Sequence, residues 1–215
     1  MSTWTTGTIR TAGVIGTIGG ALTLVSGIVV QAVVVPASTV SIDLWSYPWT
    51  PAAHVPVSVV YGLFSLMVLT GILGFGRSGI AGAGRAARVG CILAALGEAL
   101  LVAANLATIP FGDQPMSAAG PAVVGATFGV GTALTAVGLL IAGITTIRAH
   151  RWGGWRRYVP LATGCWTAAL VVLVMTPAIA VSVGVYGALL TLLGVALATD
   201  PTGSRVTAGD SVPVR

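Results

Sequence analysis

Apolar positions in this chain come in long, nearly unbroken stretches rather than in the alternating or three-to-four-residue rhythm of a surface strand or helix. A helix needs about 20 apolar residues to cross the hydrocarbon core of a bilayer. The pattern predicts six such spans, at residues 11–35, 57–75, 89–109, 121–147, 159–176 and 178–198. The last two form one apolar run interrupted by Thr176-Pro177. Proline removes a helix donor and biases the residue before it away from helix, so this run reads as a tight hairpin, with a single long kinked segment as the alternative. The expected fold is all-α: an integral membrane bundle of six transmembrane helices over residues 11–198, preceded by a short segment 1–10 and followed by a flexible tail 199–215. The first span outruns the apolar core of a secretory leader, about 7–15 residues, and is expected to be retained.

Composition agrees with a lipid environment. Of 215 residues, 55% are hydrophobic and 7% charged, whereas a soluble domain carries about 25% charged residues. All ten basic residues are arginine; without lysine there is no retinal Schiff base and no lysine nucleophile. Arg10 precedes the first span, Arg77, Arg85 and Arg88 lie between the second and third, and Arg148, Arg151, Arg156 and Arg157 lie between the fourth and fifth. Arg205 and Arg215 fall in the tail, while the three remaining connections carry Asp43, His54 and Asp113 but no arginine. Basic residues collect on the cytoplasmic side of a membrane, so both termini are expected in the cytoplasm of a multi-pass cell-membrane protein. The net charge of +5 therefore reports topology, and no nucleic-acid partner is implied.

A spacing recurs in the even-numbered spans. Pro56 is followed 13 and 14 residues later by Leu69-Thr70, Pro121 by Leu134-Thr135, and Pro177 by Leu190-Thr191. Proline is tolerated in a first helical turn, so each would open its span on the outer side. A weaker echo links Arg10 with Gly19-Gly20-Ala21-Leu22 and Arg88 with Gly97-Glu98-Ala99-Leu100. The reading is three pseudo-repeated hairpins, against chance matching in a chain so rich in Ala, Leu, Gly and Thr.

Glu98 is the one acidic residue inside a predicted span. It lies ten residues past Arg88, about 15 Å along a helix, near the bilayer centre. An ionisable group there costs roughly 2.5–3.5 kcal/mol on insertion scales and marks a functional site by default. Cys91, Glu98 and Asn105 recur every seven residues, nearly two helical turns, and so form one stripe. That stripe is the candidate for substrate or proton coupling. The competing reading is polar glue between helices, with Cys91 and Cys165 as small apolar fillers. Gln31 joins either interior or interface.

Two connections stand out. The first outer one reads Asp43-Leu44-Trp45-Ser46-Tyr47-Pro48-Trp49, followed by His54. It is either an interfacial aromatic belt or a lid in which Trp45, Tyr47 and Trp49 wall a cavity and Asp43 or His54 makes a polar contact. The second, with Arg148, Arg151, Trp152, Trp155, Arg156 and Arg157, suits a basic loop facing anionic cytoplasmic lipids. The run DLWSYPW with the span and glycine- and arginine-bearing loop after it, residues 40–110, resembles a group of small uncharacterised multi-pass membrane proteins of high-GC actinobacteria. That resemblance implies membrane location and topology, and no activity.

The inventory argues against several chemistries. Both histidines fall in predicted loops on opposite sides, five acidic residues are spread along the chain, and the cysteines show no ligand spacing. Metal catalysis and haem held by a histidine pair are disfavoured, and no cofactor is expected. Two readings lead: binding or transport of a small hydrophobic or cationic solute with Glu98 as the titratable group, and a structural, accessory or immunity-type protein working through helix contacts, as a homo-oligomer or with a membrane partner. A cofactor-free membrane enzyme is third.

Overall fold

The computed structural model describes residues 4–174, 176 and 178–203. The protein is an all-α membrane bundle. Its helices are α1 (Thr6–Ala37), α2 (Pro51–Ser78), α3 (Arg85–Ala107), α4 (Ala119–Ala149), α5 (Val159–Leu173) and α6 (Ile179–Thr199). Five of them, all but α5, are long and apolar enough to cross a membrane. The expected fifth span, 159–176, is helical over only 15 residues, about 22 Å at 1.5 Å per residue, and so is shorter than a hydrocarbon core of about 30 Å. The chain leaves the helix after Leu173 and re-enters one at Ile179, which makes a hairpin of the last apolar run.

Helix ends differ from the expected spans where capping chemistry extends them. Thr5 caps α1 by accepting from the Thr8 amide, and Thr50 caps α2 by accepting from Ala53, with Pro51 in the first turn. The helix thus starts before Pro56, which lies inside α2 rather than at its head. His54, expected in a loop, is consequently a helical residue and is buried. At the far end of α2 the cap is Gly79 at φ 73°, a left-handed conformation that glycine adopts without a Cβ penalty. The tail beyond residue 203 lies outside the described residues.

Each helix packs on its chain neighbours and α6 closes the ring against α1. Two of the six seams are built alike. In α1, Gly13, Thr17 and Gly20 face Gly187, Thr191 and Gly194 of α6. In α4, Gly131, Thr135 and Gly138 face Gly90, Ala94 and Gly97 of α3. The surroundings of Gly194 and Gly97 present the same three kinds of atom. A Cβ on Gly194 would meet the Thr17 amide N and Oγ1 at 2.5 Å, and one on Gly97 would meet the Thr135 amide N and Oγ1 at 2.4 Å. Only glycine lets the backbones approach this closely.

These seams do not follow the three-hairpin scheme. Thr135 faces its own hairpin partner α3, Thr191 faces α1 instead, and Thr70 bonds only its own Leu66 carbonyl. Pro177, the third marker proline, lies outside the described residues. Residues at matched sequence positions therefore sit in unlike surroundings, and the packing lends the threefold repeat no support.

The interior is solid at one end and hollow at the other. At the end where arginines gather, Phe75, Ile80, Trp152, Val159, Leu193 and Leu197 form a closed cluster. Next to it, Val68, Ile72, Leu139, Leu170, Tyr186 and Leu190 fill the middle. Large apolar side chains such as Val123, Val130 and Val172 point outward, as a lipid-facing surface requires. Three buried hydroxyls are satisfied within their own helices, Thr146 donating to Ala142, Thr163 to Val159 and Thr167 to Thr163, whereas the buried hydroxyl oxygens of Thr135 and Ser46 have no hydrogen-bond partner among the described residues.

Candidate functional site: a membrane-embedded cavity around Glu98

Beyond the solid middle, towards the end opposite the arginines, the bundle holds a cavity of about 310 Å³. That is near the lower bound of small-molecule sites, which span roughly 300–1,000 Å³. Side chains from α1, α2, α3, α4 and α6 line it, and none comes from the short α5. Glu98 lines the cavity with 1% of its surface exposed. Its one hydrogen-bond partner among the described residues is Tyr186 on α6, whose hydroxyl donates to Glu98 Oε2 at 2.9 Å. This bond links α3 to α6 across the ring.

Asn105, two turns from Glu98 on the same face of α3, also lines the cavity. Its Nδ2 donates to the Leu101 carbonyl at 2.8 Å and to Ser65 Oγ at 3.3 Å. The heptad stripe is therefore real for these two residues and ends before Cys91. Cys91 is half-buried nearer the arginine end, where it packs beside Gly76 and the Phe75–Trp152 cluster, and it does not line the cavity. Two turns of helix, about 10 Å, separate it from Glu98.

Sequence reasoning missed the far wall. Tyr61, Phe64 and Ser65 from α2, Phe128 and Thr132 from α4, and Tyr186 from α6 all face the cavity. One signal was present. Tyrosine in a bilayer favours the interface, so Tyr186, eight residues into its predicted span, was out of position for a lipid-facing ring. Gln31 sits in a π-helical turn, Val30–Val34, whose first residue lines the cavity. Its Oε1 is buried without a hydrogen-bond partner.

The loop between α1 and α2 is a strap rather than a wall of this cavity. Leu44 bridges to Pro115, the Trp45 amide donates to the Gln114 carbonyl, and the Met116 amide donates to the Asp43 carbonyl. Trp45 Nε1 donates to Thr108 Oγ1, and His54 Nε2 lies 3.2 Å from the Thr108 carbonyl. Trp45 and His54 thereby meet at the end of α3. Asp43, Trp45, Tyr47, Trp49 and His54 are all absent from the cavity lining. Of the five expected lid residues, Trp45 and His54 meet at Thr108, and none reaches the cavity that Glu98 lines.

The basic loop divides in two. Trp152, expected against lipid, is 1% exposed: its ring packs on Phe75 at 5.8 Å between centroids and its Nε1 donates to the Asp200 carbonyl at 2.9 Å. It plugs the arginine end because the bundle core there accepts the indole and a helix-end carbonyl accepts its proton. Trp155 is exposed, and Arg156 pairs with Asp200 at 3.7 Å. Arg148 and Arg151 flank the left-handed turn at His150. Among the described residues no three His, Cys, Asp or Glu side chains come together as a metal site.

Comparison with family models, with curated proteins and with solved structures finds no match.

Proposed function

We propose that this protein binds a small hydrophobic or cationic solute within the membrane, with Glu98 as the titratable group that couples occupancy to a proton. The observation that carries this reading is a lone carboxylate lining a cavity with no arginine or histidine among the lining residues. A purely structural carboxylate is best surrounded by donors or packed out of contact with open space, since an ionisable group at this depth is costly. Glu98 instead has one donor and a cavity beside it. Orientation follows from the arginines: with both termini cytoplasmic, the plugged end lies inside and the cavity faces the outer half of the bilayer. Proton counting on the purified protein tests the reading. Solute binding by the wild type releases a proton from Glu98, and Glu98→Gln binds without release. An unchanged proton count in the variant refutes it.

A second reading, a structural or accessory protein, is favoured by one observation: the Tyr186–Glu98 bond joins helices on opposite sides of the ring. On that reading Glu98→Gln lowers folded yield and moves no solute property.

A further inference from the structure

We infer that the cavity recognises a quaternary ammonium group, with Glu98 as counter-ion and Tyr61, Phe64, Phe128 and Tyr186 as an aromatic cage. This rests on the solute-binding reading above and names the ligand chemistry.

Three features of the lining select it. The first is charge: Glu98 is the only carboxylic acid among the lining residues, and no basic group opposes it. The second is the state of the polar side chains. Thr23 donates to Gly19, Ser26 to Thr23 and Thr132 to Phe128, each to a carbonyl of its own helix. Asn105 donates to Leu101 and Ser65, and the Tyr186 hydroxyl donates to Glu98. With these protons committed, the donors left in the lining are the Ser65 and Tyr61 hydroxyls, both from α2, and no basic group accompanies them to hold an anion.

The third feature separates a quaternary from a primary ammonium. Four of the sixteen lining residues are aromatic, and Tyr61 and Phe64 meet edge to face at 5.9 Å between centroids. Aromatic rings attract a cation whose charge is spread over methyl groups, and such cages serve quaternary ammonium ligands. A primary ammonium brings three N–H donors that each need an acceptor. Here its acceptors besides Glu98 would be the Asn105 side-chain carbonyl and the hydroxyl oxygens of Thr23, Ser26, Ser65 and Thr132, set singly in a largely apolar wall, so the rings carry the discrimination.

Proton competition follows. Cation and proton exclude each other at Glu98, and the groups facing it are Tyr186 from α6 and Tyr61 across the cavity from α2. Neither α1 nor α4 brings a titratable group to the lining.

The test uses the full chain purified in detergent and three benzyl probes: benzyltrimethylammonium, its carbon isostere neopentylbenzene, and the smaller primary amine benzylammonium. Binding is followed by displacement of radiolabelled benzyltrimethylammonium and, for the primary amine, by calorimetry. The quaternary ion is expected to bind at least tenfold more tightly than the primary amine, to weaken as pH falls, and to resist displacement by the isostere. Phe64→Leu and Phe128→Leu each weaken it about 2- to 30-fold, from the usual cation–π range, and weaken the primary amine less. Glu98→Gln keeps an acceptor for Tyr186, so its elution profile stays that of the folded protein while the pH dependence vanishes. A primary amine that binds best, with a pH profile lost in Glu98→Gln, overturns the cage and leaves the solute reading standing. An isostere that competes as well as the cation, with wild type and Glu98→Gln indistinguishable, overturns both. Failure of the quaternary ion to bind at all also overturns the inference.

Discussion

The two matched glycine seams make a quantitative claim that one added methyl group can test. A Cβ built on Gly97 lies 2.4 Å from the Thr135 amide nitrogen and Oγ1 and 2.5 Å from the Gly131 carbonyl oxygen. Ordinary contact begins near 3.4 Å, so Gly97→Ala must push α3 and α4 apart by about 3.4 − 2.4, or 1 Å. Two of the three obstructing atoms are backbone, so trimming Thr135 does not relieve the clash. A gap of 0.5–1 Å forfeits about a quarter to a half of each dispersion contact along the seam, and overpacking of this kind costs roughly 1–3 kcal/mol. Gly194→Ala, with the same atoms of Thr17 at 2.5 Å, is expected to behave alike. Gly129 on α4 is the internal control, because nothing lies within 4 Å of its Cβ position. All three substitutions gain the same helix propensity, up to about 1 kcal/mol, which cancels in the comparison. The difference between Gly97→Ala and Gly129→Ala is therefore about 1–3 kcal/mol, or about 2–12 °C in thermal midpoint at 2–4 °C per kcal/mol for a chain of this size. Thermal unfolding of the four proteins in one detergent measures it. Equal midpoints for all three variants would refute the seam geometry.

Further predictions concern the polar bonds and the orientation. Tyr186→Phe removes the one donor to Glu98, costing about 1 kcal/mol with the carboxyl neutral and about 1.5–3 with it ionised; the loss of detergent stability should therefore be greater in alkaline than in acid medium, and a pH-independent loss contradicts the assignment. Trp152→Phe keeps the packing on Phe75 but leaves the Asp200 carbonyl without its indole donor, for a loss of about 1–2 kcal/mol, whereas Arg156→Ala, at a partly exposed pair 3.7 Å apart, should cost under about 1 kcal/mol. Chemical denaturation ranks the two, and a reversed order counts against the plug. For topology, Gly84→Cys places a thiol where nothing lies within 4 Å; in intact cells it should resist a membrane-impermeant maleimide, and rapid labelling from outside would invert the proposed orientation.

Some of this was legible from residue order and some was not, for definite reasons. Long apolar runs mark helices because every backbone group in hydrocarbon must bond internally. Glu98 stood out because a carboxyl at that depth is rare by the same physics. Asn105 followed from it by helical period alone, since residues seven apart share a face. Cys91 obeyed the same period and still missed the cavity, because period fixes a face of one helix and says nothing about how far along that face an opening extends. The outer-loop aromatics were conspicuous, but only the contacts of Trp45 and His54 with Thr108 turn them into a strap.

Residue order alone determined an oily helical chain with its arginines outside the apolar runs and one carboxylate, Glu98, inside them, since each follows from the cost of transferring a group from water to lipid. Tertiary structure alone decided which helices touch. Glycines at Gly13, Gly20, Gly97 and Gly194 could have faced lipid or a neighbour, and only the ring places them backbone to backbone. It likewise decided that Tyr186, eighty-eight residues from Glu98 in sequence, supplies its hydrogen bond. Local composition sets the solvent a helix tolerates, while its partner across the bundle depends on the shapes of all six surfaces at once.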